Sequence, residues 1–64
     1  MEQKNILELL KEIQIIAKMA ESDAEKTMKG NKTAKVRLRK EMQKIKTYCQ
    51  EVRDVVQEKD DETN

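Results

Sequence analysis

Apolar side chains recur at helical spacing through the first half of the chain, at Ile6, Leu9, Leu10, Ile13, Ile16, Ala17, Ala20 and Ala24. Steps of three and four keep them on one broad stripe of a helix with period 3.6. The stripe starts large and ends small, because the heptad thread runs Ile6, Ile13, Ala20, Thr27. A second pattern follows at Ala34, Leu38, Met42, Ile45, Cys49, Val52 and Val56, flanked by Tyr48 and Val55. From Leu38 its steps read 4, 3, 4, 3, 4, which is a heptad seam. Between the two stands Gly30, the only glycine, followed by Asn31, and no proline occurs. Glycine ends a helix by taking the left-handed conformation, and asparagine caps the start of the next one. The pattern therefore predicts helix one over residues 4–29 and helix two over 32–57. Together they form one domain, 1–57, and the acidic residues 58–64 are expected to fray or stay disordered.

A turn this short folds two helices of roughly 39 Å each into an antiparallel αα-hairpin, an all-α fold. A single helix running through Gly30 is the alternative geometry, since one glycine costs only about 1 kcal/mol there.

Composition adds a constraint. In 64 residues there is no Trp, Phe or His, one Tyr and one Cys. An internal disulfide and an ordinary zinc cluster are both excluded, so no metal or other cofactor is expected. A small domain without such staples needs oligomerisation or unusually good packing. The expected assembly is a dimer in which two hairpins form a four-helix bundle. Its interface would use Ile6, Leu10, Ile13, Ile16, Ala17, Leu38, Met42, Ile45, Cys49 and Val52. No run approaches the roughly 20 apolar residues that span a bilayer, and no cleavable apolar segment stands near Glu2 and Glu8. A cytoplasmic protein with no membrane role is the expectation, and an unpaired cysteine suits a reducing compartment.

Charge is segregated along the chain although its net value is +1. Residues 1–25 hold three Lys against six acids, and residues 47–64 hold two basic residues against six acids. Residues 26–46 hold nine basic residues against Glu41 alone, a local charge of +8. Folding as a hairpin gathers this block around the turn and brings the acidic arms together at the open end. A lysine-rich helix is commonly only a solvated face, but this block repels itself unless an anion is near. Duplex DNA or RNA is the obvious polyanion, bound through phosphates in a salt-sensitive and sequence-independent way. The candidate contacts are Lys29, Lys32, Lys35, Arg37, Arg39, Lys40, Lys44 and Lys46, with Lys32, Lys35, Arg39 and Lys46 sharing one flank. A membrane surface is a poorer fit without Trp or Phe.

The segment Glu21–Arg53 resembles the bacterial linker-histone-like proteins of the chlamydial type. Asp23-Ala24 ahead of the turn, Gly30-Asn31-Lys32-Thr33-Ala34, Arg37-x-Arg39-Lys40, and then Lys44, Lys46 and Arg53 on an apolar-spaced helix carry the resemblance. It implies an α-helical, self-associating, nucleoid-associated protein that binds and compacts DNA. Long members of that family end in a Lys/Ala/Pro-rich tail and short members lack it, while residues 58–64 here are acidic.

Other chemistry finds little support. Without His, a Ser/His/Asp set or a glycine-rich phosphate loop, an enzyme is not expected. Glu8, Glu12 and Glu21 read as solvated acids, and Cys49 in the seam reads as a buried inert thiol. Asp23 is either an edge residue or a helix-spanning partner for a base beyond the turn. Met19, Met28 and Met42 read as apolar filler, although methionine-rich surfaces also suit adaptable binding. The competing function is a protein-interaction module that docks its stripe on another protein's helices.

Overall fold

The computed structural model describes residues 5–63, and the side chains of residues 5–57. It is an antiparallel hairpin of two helices, α1 (Ile6–Met28) and α2 (Lys32–Thr63), with no strand among the described residues. The rod measures 50 × 19 × 14 Å.

Asn5 starts α1. Its side-chain oxygen accepts the backbone N–H of Glu8 at 2.8 Å, and its amide donates to Glu8 Oε1 at 3.3 Å, so cap and first turn hold each other. The sequence reading begins this helix at Lys4, which lies outside the described residues. At the other end Gly30 takes φ +95, the only positive φ among the described residues. The Asn31 N–H then reaches back to the Lys26 carbonyl at 3.0 Å and the Gly30 N–H to that of Thr27 at 2.9 Å, a Schellman closure. Asn31 immediately begins α2, because its side-chain oxygen accepts the Ala34 N–H at 2.9 Å. One residue thus closes one helix and caps the next. The continuous-helix alternative is excluded by this turn.

The helices meet along Leu9, Ile16, Ala20 and Ala34, the buried apolar residues. Ile6, Ile13, Ala17, Ala24, Leu38, Ile45, Tyr48, Val52 and Val55 are half-buried around them. Ala20 and Ala34, the latter fully covered, are the small residues of this line on the turn side.

Two features of helix two differ from the sequence reading. The seam facing α1 is Ala34, Leu38, Glu41, Ile45, Tyr48, Val52 and Val55, whereas Met42, Cys49 and Val56 are exposed beside it. Leu38, Ile45 and Val52 belong to both patterns, but the alternating positions fall one residue earlier. Hydropathy conceals this because Glu41 occupies one of the inward positions. Cys49 is accordingly a surface thiol and not a buried one. The backbone also stays helical to Thr63, beyond the Gln57 at which the pattern ends it. Neither Gly nor Pro interrupts residues 58–63, so the chain has no local reason to stop there.

Candidate nucleic-acid interface

The turn converts a linear block of charge into a surface. Lys26 and Lys29 close α1, and Lys32, Lys35, Arg37, Arg39, Lys40, Lys44 and Lys46 follow on α2, all nine exposed. The one acid in the block, Glu41, is only 8% exposed and faces α1. Every solvent-exposed charge from residue 26 to residue 46 is therefore positive. At 100° per residue, Lys32, Lys35, Arg39 and Lys46 share the outer face of α2, turned from α1, and Lys40 and Lys44 lie round its other side.

Arg37 is placed differently from the lysines. Its Nε donates to Asp23 Oδ1 of α1 at 3.1 Å, while 47% of the arginine side chain stays exposed. This is the helix-spanning alternative for Asp23, which is 6% exposed and so not an edge residue. Thr27, one turn on, donates its hydroxyl to the Asp23 carbonyl at 2.7 Å.

Glu41 is the residue that sequence reasoning missed. It lies beside Asp23 on the facing side of the helix pair, and its Oε1 is buried with no hydrogen-bond partner. Burial pushes the Glu41 carboxyl above the ordinary glutamate range, and the hydrogen bond and negative charge of Asp23 push it further. Burial would raise Asp23 too, but hydrogen bonds from Glu41 and Arg37, with the charges of Arg37 and Lys26, carry it below its ordinary value. A signal was present: Glu41 stands seven residues after Ala34 and seven before Tyr48, on the inward thread.

Of the expected interface residues, Ile16 is buried inside the hairpin. Ile6, Ile13, Ala17, Leu38, Ile45 and Val52 are half-buried there, and Leu10, Met42 and Cys49 are exposed. Leu7, Ile15 and Met19 extend the exposed apolar surface along α1. A groove of about 460 Å³ runs between the helices, bordered by Glu12, Ile15, Met19, Lys44, Tyr48 and Glu51. Among the described residues, no cluster of His, Cys, Asp and Glu could hold a metal ion, and no helix is long and apolar enough to cross a membrane.

The turn at Gly30-Asn31, the covered Ala34 and the Arg37–Asp23 pair give structural roles to five of the residues that carry the histone-like resemblance. Residues 7–62, nearly the whole chain, match the family described as histone H1-like protein Hc1. The chain belongs to the Hc1 family. The Hc1 match extends beyond Glu21–Arg53 on both sides, so it takes in α1 from Leu7 and the run of α2 past Arg53. The family is histone-like and DNA-binding, structural and not enzymatic in character. No curated protein and no solved structure matches the chain.

Proposed function

We propose that this Hc1-family hairpin binds duplex DNA without sequence preference, its basic head lying against backbone phosphates in the nucleoid. The observation that carries the reading is the purely positive exposed surface of residues 26–46, with the sole acid turned inward. Phosphate contacts fix position without reading sequence, and lysine and arginine tips at the end of a rod suit them. Lys32, Lys35, Arg39 and Lys46 form the primary track, with Lys29 joining across the turn. Arg37 adds charge through the part of its side chain that Asp23 leaves exposed. Four or five of these cations contact phosphates at one time, because the rest point elsewhere on the helix.

Two hairpins pairing into a four-helix bundle would cover Leu10, Met42 and Cys49, which the lone hairpin leaves exposed. A dimer would then carry two heads and could bridge two duplexes or two stretches of one. The same exposed stripe supports a second reading, docking on another protein's helices. Salt separates the two, since phosphate binding weakens steeply with ionic strength and an apolar helix interface does not.

The test is a gel shift on random duplex DNA at two salt concentrations, comparing the parent with a Lys35→Glu, Arg39→Glu double variant. Each phosphate that the variant no longer neutralises should lower the slope of log K against log salt by about 0.9. Uniformly weaker binding with a flatter salt dependence and unchanged helix content is expected. Equal binding by the two proteins would reduce the head to a solvated surface and favour the docking reading.

A further inference from the structure

Two acids meet where the head joins the rest of the hairpin. Asp23 on α1 and Glu41 on α2 are each more than nine-tenths buried, side by side on the facing sides of the helix pair. Ionised carboxylates only accept hydrogen bonds, so two buried side by side can bond to each other only when one of them carries a proton. The surrounding donors are unevenly placed. Arg37 Nε donates to Asp23 Oδ1 at 3.1 Å, whereas Glu41 Oε1 is buried with no hydrogen-bond partner. Lys26 of α1 and Lys44 of α2 supply the other nearby positive charges, and Glu12, Tyr48 and Glu51 border the adjoining groove. An ionised Asp23 beside Arg37, facing a neutral Glu41 whose O–H can donate to it, leaves only one negative charge buried. Ionising Glu41 would bury a second negative charge against the first.

We propose that Asp23 and Glu41 hold a single proton between the two helices, and that this proton clamps the head closed and positions Arg37 on its surface. Asp23 and Glu41 are thus positioning residues for the head. The clamp stands on the hairpin's own geometry and holds whether or not the head binds phosphate. Its two members act in opposite directions with pH. Glu41 has a folded-state pKa above its unfolded one, so its support is complete at acidic pH and is lost as pH rises through the folded value. Asp23 has a folded-state pKa below its unfolded one, so its support is complete above the ordinary aspartate range and is lost as pH falls through the folded value. The clamp is tightest at mildly acidic pH, between the two titrations. Loss of the proton draws Arg37 and Lys44 toward the buried charge and away from the surface.

Carbon-13 NMR of the side-chain carboxyls in the full chain, with thermal melts across pH, tests this on the parent, Glu41→Gln and Asp23→Asn. The expected result is a Glu41 titration above the ordinary glutamate range in the parent that falls back toward it in Asp23→Asn. Glutamine at position 41 donates to Asp23 without ionising, so Glu41→Gln should melt several degrees above the parent at about pH 8 and lose that advantage near about pH 4. A parent Glu41 that titrates in the ordinary range, or a melting gap that does not change with pH, overturns the proposal. Should Asp23→Asn not fold, the Glu41→Gln melts decide the matter alone. None of these measurements involves DNA, so the clamp and the phosphate-binding reading succeed or fail separately.

Discussion

The two ends of the hairpin are built by different means. At the head, directional contacts fix the backbone: a Schellman closure, a shared Asn31 cap, and an Arg37–Asp23 pair joining residues 14 apart in sequence. At the foot, α1 and α2 meet through Leu9 and the half-buried Ile6, Val52 and Val55, and hydrogen bonds such as Gln50 to Asp54 stay within one helix. Residues 26–46 at the head expose a single sign of charge, with Glu21 and Glu25 of α1 exposed beside them, while the foot mixes Glu8, Glu51 and Asp54 with Lys11 and Arg53. The difference shows a small chain placing its geometric precision where it concentrates like charge. Repulsion among the head cations, +8 over residues 26–46, would open a loosely held turn, whereas the foot gathers a smaller excess of one sign and relies on non-directional burial.

The strongest way to break this comparison is to charge the apolar line on which both ends depend. Ile16→Asp places a carboxylate in the middle of that buried line and should abolish cooperative melting, a loss above about 3 kcal/mol, read by circular dichroism. Leu10→Asp, at an exposed position one face round, should leave the hairpin helical and weaken only the proposed dimer, read by sedimentation. At the head, Gly30→Ala meets no atom within 4 Å, so its cost is conformational alone, about 1–2 kcal/mol for an L-residue held at φ +95. Asn31→Ala removes a single cap and should cost about 1 kcal/mol. Gln50→Ala at the foot, which deletes one exposed hydrogen bond, should stay within about 0.5 kcal/mol. Loss of a single foot hydrogen bond as damaging as Gly30→Ala would show that the ends are not built differently.

The hairpin was legible in the sequence because its signals are local. One glycine, one asparagine and the absence of proline leave a single place to turn, and steps of three and four define two stripes. The phase of the second stripe was not legible from hydropathy. Met42, Cys49 and Val56 read as the inward thread, yet the true thread passes through Glu41 and Tyr48, and a carboxylate in a seam cannot be anticipated without its partner. The alternatives for Asp23 could be stated in advance but not resolved, since the choice depends on Arg37 arriving opposite it across the turn. The basic block was evident from counting residues. What the fold adds is that Glu41 leaves the surface and the exposed charge of the block becomes uniform.

The two-residue turn also bears on the order of events in folding. Loops that close a few residues apart form fast and at little entropic cost, and contacts grow more remote in sequence with each turn away from Gly30. The hairpin should therefore zip from the turn outward, with the head as its nucleus, and fray in the reverse order. Amide exchange would show protection declining from Ala20 and Leu38 toward Leu9 and Val55. Thermal fluctuations would then open the acidic end repeatedly while the basic end keeps its shape.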